Sequence, residues 1–103
     1  PALTADGDVW VNPTGYAGLA TGGSGDVLSG MIGALLGQRA TGFTAALLGN
    51  YLHGLSADLA TVGIAERSLL PGDVIDTLPR ALAHAARAEA SPRFHWRRIA
   101  CRD

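Results

Sequence analysis

Ala20-Thr21-Gly22-Gly23-Ser24-Gly25-Asp26-Val27-Leu28 sets small residues and one carboxylate directly before an apolar stretch with helical spacing. Glycines at 22, 23 and 25 reach backbone angles closed to other residues and let an anion approach the main chain without meeting a Cβ. A helix beginning near Gly25 adds its unpaired first-turn N–H groups and positive dipole end to the same spot. The expectation is a phosphate-binding loop. Asp26 runs against that logic, because a carboxylate beside an anion cradle weakens anion affinity. The task that fits it is taking a proton from a hydroxyl that attacks a phosphoryl group. A plainer reading stands beside this one: Gly-Ser runs form turns, and an aspartate at a helix start caps it or complements its dipole.

Three named motifs are excluded. A P-loop requires Gly-Lys-Ser/Thr, and the chain has no lysine. A nucleophile elbow requires Gly-x-Ser-x-Gly, but Asp26 stands two positions after Ser24. A dinucleotide fingerprint requires a third glycine where Leu28 stands.

The loop lies in a chain of 103 residues, 48% hydrophobic and 17% charged, enough for one small domain with a modest core. A net charge of −1 with a pI near 6.3 argues against a general nucleic-acid binder. Arg93, Arg97, Arg98 and Arg102 make up half of the basic residues and fall at the C-terminal end, where a solvated tail is the expectation. One cysteine, Cys101, cannot form an internal disulfide, which fits a reducing cytoplasm. No apolar run reaches the roughly 18 residues of a membrane span, and no signal pattern opens the chain. The chain starts with Pro1 and has its only methionine at Met31, so it reads as a partial chain.

Working outward, Ala2–Ala5 and Asp8–Asn12 read as two strands joined by a tight Asp6-Gly7 turn. Asn12-Pro13-Thr14-Gly15 ends the second strand and aims the chain at the glycine loop, with Asn12 and Thr14 as loop-shaping residues. Leu28, Met31, Ile32, Leu35 and Leu36 then form an apolar helical face, while Gly30, Gly33 and Gly37 line another side. A buried helix closely approached by a neighbour is expected, since each interior glycine costs roughly 0.5–1 kcal/mol against alanine. Thr41-Gly42 caps a long second helix with Ala45, Leu48, Leu52, Leu55 and Leu59 facing the core. His53 on that helix reads as a hydrogen-bonded packing residue, and Asp58, five residues on, shares no face with it, so no relay follows. Pro71 opens a short helix carrying Val74, Ile75 and Leu78; Pro79 breaks it or starts another turn, and 80–90 is alanine-rich and helical in propensity. From Ser91-Pro92 onward no element is assigned.

Asn12-Pro13-Thr14-Gly15, the run from Ala20 to Leu28, Tyr51-Leu52-His53-Gly54 and Leu69-Leu70-Pro71-Gly72-Asp73 together resemble the ADP/ATP-dependent NAD(P)H-hydrate dehydratases of the ribokinase-like superfamily. The resemblance covers most of residues 3 to 83. It implies an α/β fold: the C-terminal part of a ribokinase-like domain over residues 1–90, made of a β-hairpin, a glycine-rich anion loop and several packed helices. Residues 91–103 are left as an unassigned basic tail. Tyr16 and Ala17 stand where the family commonly has Asn-Pro. The family's upstream strands, lysine-containing nucleotide loop and Mg²⁺-organising acidic residues have no counterpart here.

The resemblance further implies dehydration of the S epimer of NADHX or NADPHX at the expense of ADP or ATP, a repair of hydrated nicotinamide cofactors. Tyr16, Ala17, Gly18, Leu19, Ala20, Thr21, Gly22, Gly23, Ser24 and Gly25 match the family's nucleotide-binding stretch. The N–H groups of Gly22, Gly23, Ser24 and Gly25 would hold the transferring phosphoryl group, and the Ser24 hydroxyl would add a donor. Asp26 would contact the substrate hydroxyl and act as base. Mg²⁺ is implied by the phosphates, without a ligand set in this chain. The expected partners are NAD(P)H hydrate and ADP or ATP, with a homo-oligomer as an option and neither nucleic acid nor membrane; the compartment is cytoplasmic. Other readings are a non-catalytic nucleotide-binding or self-associating remnant and a ribokinase-like small-molecule kinase. A serine hydrolase built from Ser24, His53 and Asp58 lacks the required elbow.

Overall fold

In a computed structural model, residues 2–5, 8–62, 69–88 and 97–100 are described. Strands β1 (Ala2–Ala5) and β2 (Asp8–Val11) pair antiparallel, with Ala5 opposite Asp8 and Ala2 opposite Val11. The Asp6-Gly7 turn expected between them lies outside the described residues. A third strand, β3 (Arg97–Ala100), pairs antiparallel with the other edge of β2, giving the order β1-β2-β3. The sequence assigned no element there: Arg97-Arg98-Ile99-Ala100 lacks clear alternation, and the pairing joins residues far apart in the chain.

After β2 the chain runs through a 3₁₀ turn (Ala17–Leu19) into helix α1 (Ser24–Gly37), then α2 (Gly42–Ala60) and α3 (Pro71–Ala88). Helix α2 is the one on which both others pack, while α1 and α3 touch each other only narrowly. Every residue of α2 from Gly49 to Ala57 is buried, which explains its lack of a polar face. Its start is capped as expected, the Thr44 N–H donating to Thr41 Oγ1 at 3.2 Å. One core cluster joins Tyr51, Leu52 and Leu55 to Ala81 of α3; a second joins Ala57 to Leu69 and Val74.

Helix α1 departs from the buried helix expected. Ser24 is its one buried residue, Leu36 is 47% exposed, and nothing lies within 4 Å of where a Cβ on Gly30, Gly33 or Gly37 would stand. An apolar helix can bury only as many faces as it has neighbours, and here α2 is its principal neighbour. The close approach falls instead at Gly49 of α2, where a Cβ would lie 2.7 Å from Ile32 Cγ1. α1 ends in a Schellman motif: Ala40 N–H donates to Leu35 O, Arg39 N–H donates to Leu36 O, and Arg39 takes φ 70°.

Pro79 does not break α3. Proline removes one helical hydrogen bond, at a cost of roughly 3 kcal/mol in an ordinary interior. Pro79 and Ile75, whose carbonyl it leaves unpaired, both face solvent, so water can take that carbonyl. Val74, Thr77 and Ala81 are buried on the opposite face and carry the helix through the proline.

Candidate functional site

Three contacts seat the entry of the glycine loop on α2. Asn12 Nδ2 donates to Asn50 O at 2.8 Å, and the Thr14 hydroxyl reaches both Tyr51 O at 2.9 Å and Asn12 Oδ1 at 2.8 Å. Gly15 N–H donates to Asp58 Oδ2 at 2.9 Å. Asn12 Oδ1 also accepts from Thr14 N–H at 3.0 Å, an Asx turn that makes both side chains shapers of the loop, as the sequence suggested. The 3₁₀ turn follows, its Tyr16 and Leu19 packed against the core of Ala57, Leu69 and Val74.

The loop exit is set by Gly23, which takes φ 94° to turn the chain into α1. Val27 N–H closes the first helical bond to Gly23 O at 3.2 Å. The N–H groups of Gly25 and Asp26 therefore fall in the first turn, where a helix supplies no acceptor, and both residues are exposed. Thr21, Gly22 and Gly23 are exposed beside them. This arrangement can receive an anion.

Ser24 is spent differently from expectation. Its N–H donates to Thr21 O at 3.3 Å, and its side chain is buried with Oγ 3.3 Å from His53 Nε2. The N–H is thus taken up within the turn, while the hydroxyl lines the same cavity as Gly25 and His53. His53 Nε2 also lies 3.1 Å from Ser24 O, and since a carbonyl only accepts, Nε2 carries the proton. Burial lowers the His53 pKa, opposed by the bond to Ser24 O, and keeps the imidazole neutral. A proton on Nε2 cannot be exchanged for one from Ser24 Oγ, and Asp58 is committed to Gly15, so the hydrolase arrangement is absent. His53 is the hydrogen-bonded packing residue expected. Burial raises the Asp58 pKa against the lowering effect of the Gly15 N–H; it raises that of Tyr51 too, with the Asp58 charge adding to the rise.

A cavity of about 480 Å³ opens on this loop, lined by Asn12, Thr14, Tyr16, Leu19, Gly25 and His53 among others. Asp26 points to a second, apolar groove of about 580 Å³ between α1 and α3, with Val27, Met31, Leu35, Leu52 and Leu78. Gly25 thus lines the first of these openings and Asp26 the second. Ala17, Ala20 and Thr21 are exposed along the loop, and Gly18 lies against the Tyr16 ring. Among the described residues no group of three or more His, Cys, Asp or Glu could hold a metal.

Comparison with known proteins gives this geometry its family. The profile described as NAD(P)H-hydrate dehydratase matches residues 2–80. The chain belongs to the NAD(P)H-hydrate dehydratase family. With membership comes the ribokinase-like α/β fold that the sequence suggested. The chain is 51% identical over 71 residues to an ADP-dependent (S)-NAD(P)H-hydrate dehydratase of Neisseria meningitidis, a match covering 67% of this chain and 24% of that protein. It is 45% identical over 75 residues to the protein of the same name in Bacillus subtilis, covering 73% and 27%. A bifunctional NAD(P)H-hydrate repair enzyme of Moorella thermoacetica is 49% identical over 77 residues, covering 75% and 14%. These matches span at most about a quarter of each relative's length. No helix among the described residues is long and apolar enough to cross a membrane.

The family segment includes the two residues whose place in the site was missed from sequence, Asp58 and His53 as anchors of the loop. Gly54, between them on α2, marks where the loop lies close, since a Cβ there would meet Thr14 and Gly15.

Proposed function

We propose that this chain contributes the phosphate-binding loop and the proton acceptor of an NAD(P)H-hydrate dehydratase, which restores NADH or NADPH from the S hydrate at the expense of ADP or ATP. The supporting observation is the placement of exposed first-turn N–H groups at Gly25 and Asp26 on a loop seated by α2, in a chain whose relatives carry that activity in their names. Residues 1–90 would form the C-terminal portion of the domain, with 91–103 outside it. The remaining part of the cleft would come from upstream portions of the domain.

In this reading the nucleotide lies along Tyr16–Gly25, with its phosphates at Gly22, Gly23 and Gly25. The substrate hydroxyl lies between Asp26 and the terminal phosphorus. Asp26 takes the hydroxyl proton as that oxygen attacks the terminal phosphorus, and the nucleotide leaves shortened by one phosphoryl group. Phosphate then departs with the C–O bonding pair while a neighbouring ring carbon gives up a proton, restoring the conjugated ring. Phosphorylation is needed because hydroxide leaves poorly. Positioning and charge stabilisation carry most of the rate in such transfers. Mg²⁺ would be held by the phosphates and by residues outside this chain, and a cytoplasmic setting suits the nucleotide and cofactor pools.

The test is Asp26→Asn in a complete domain containing this segment, followed by the recovery of reduced nicotinamide absorbance. Turnover is expected to vanish while ADP binding persists; near-normal turnover would remove Asp26 from the base role. A second reading, a self-associating remnant without catalysis, is favoured by the exposed apolar side chains Ile75 and Leu82 lining the α1–α3 groove. Light scattering separates the two: a monodisperse monomer at high concentration counts against the remnant.

A further inference from the structure

The loop from Gly15 to Ser24 has little holding it together internally. Its main-chain bonds among the described residues are Leu19 N–H to Tyr16 O, Ala20 N–H to Ala17 O and Ser24 N–H to Thr21 O, all spanning three residues. Such local turns fix the shape of each piece but not the position of the whole. Tyr16 and Leu19 seat its middle on the core, and two side chains of α2 hold its opposite ends from beneath. Asp58 Oδ2 accepts from Gly15 N–H where the loop begins, and His53 Nε2–H donates to Ser24 O where it ends. Separated by five residues on α2, they cannot form a relay, but that separation lets each reach a different end.

Ser24 O belongs to the same peptide unit as the N–H of Gly25, which lies in the unpaired first turn of α1. A hydrogen bond onto a carbonyl draws electrons through its peptide and makes the attached N–H a stronger donor. His53 thus holds that peptide in orientation and strengthens its free donor without approaching the anion. Asp58 Oδ2 takes the Gly15 N–H at 2.9 Å and so fixes the point at which the loop leaves β2.

We propose that His53 and Asp58 are the positioning residues of the glycine loop, His53 orienting and polarising the Ser24–Gly25 peptide and Asp58 fixing the loop entry at Gly15. This rests on the reading of the loop as a nucleotide phosphate site. The architecture makes α2 part of the site although no side chain of Tyr51-Leu52-His53-Gly54 need touch the phosphate.

The experiment is titration of the 103-residue chain and its variants with ADP, with circular dichroism to verify folding and amide NMR to watch Gly15 and Gly25. His53→Ala and Asp58→Ala should each weaken ADP affinity about tenfold, the order expected for losing one strong hydrogen bond. His53→Gln, which returns an N–H donor near the place of Nε2, and Asp58→Asn, which returns an oxygen acceptor, should stay within about threefold of the parent. In the parent, the Gly15 amide should resist hydrogen exchange, and the Gly25 amide resonance should move upfield in His53→Ala and return in His53→Gln. Folded alanine variants that bind ADP like the parent would overturn the proposal. If the alanine variants fail to fold, a fast-exchanging Gly15 amide in the parent, or a Gly25 resonance at its parental position in His53→Asn, whose donor is too short to reach, would overturn it instead. A parent that binds no ADP while its Gly15 and Gly25 amides behave as stated would refute the nucleotide reading and leave the positioning intact.

Discussion

A Cβ placed on Gly54 would stand 2.9 Å from the amide nitrogen of Gly15, so α2 and the loop entry meet backbone to backbone. The same added carbon would collide with Thr14 as well. That contact allows Thr14 to reach Tyr51 O and Gly15 to reach Asp58. Gly54→Ala is therefore expected to destabilise the chain by about 1–3 kcal/mol, the usual cost of overpacking a site that cannot move freely. Urea unfolding measures it, and an unchanged midpoint would mean that the loop yields without penalty.

Gly23 makes the turn into α1 at φ 94°, and its Cβ would also come 3.2 Å from Pro71 Cγ. Gly23→Ala should cost about 1–2 kcal/mol from the backbone angle alone. A drop of several degrees in the thermal midpoint is the expected readout, on the scale of roughly 4–8 °C per kcal/mol for a domain of this size.

Arg39 occupies the left-handed position of the Schellman motif, where glycine is the common choice. Arg39→Gly relieves that strain while adding freedom to the unfolded chain, and the balance should be a gain of up to about 1 kcal/mol. The thermal midpoint should rise; a fall would show that the Arg39 side chain contributes more than its backbone costs.

The buried His53 has a pKa below its ordinary value near 6.5. Below that value the unfolded chain takes up a proton that the folded chain resists, so stability is lost as the pH falls from about 6.5 through the depressed folded value. Asp58 acts in the opposite sense: its pKa is raised above 3.8, so its contribution is fully present below 3.8 and lost as the pH rises through the folded value. The urea midpoint should therefore fall between about pH 7.5 and about pH 5.5 in the parent, and fall less in His53→Gln. Equal slopes in the two proteins would place the titration elsewhere.

Reading the sequence reached the parts of the molecule governed by local rules. Thr41 was legible as a cap because its side chain acts three residues away, and α2 because its apolar positions recur at helical spacing. Asn12 and Thr14 were legible as loop shapers from turn chemistry. What escaped depended on partners distant in sequence. The exposure of α1 depends on which neighbours it has, and the persistence of α3 through Pro79 depends on the buried Val74, Thr77 and Ala81 opposite. In the site, the glycines and Asp26 were visible as a motif, whereas the inward turn of Ser24 was not, because His53, which it meets, lies 29 residues on. Glycine spacing alone also pointed to the wrong close approach: among the helical glycines Gly49 and Gly54 are crowded, and Gly30 and Gly33 are not.

The central claim is that the loop from Tyr16 to Gly25 and the first turn of α1 form a nucleotide phosphate site. Isothermal titration of the purified chain with ADP and Mg²⁺, with circular dichroism establishing that it is folded, tests this most directly. Saturable binding that weakens when Gly25 is replaced by a bulkier residue is the predicted result. A folded chain that shows no heat of binding up to millimolar ADP would contradict it.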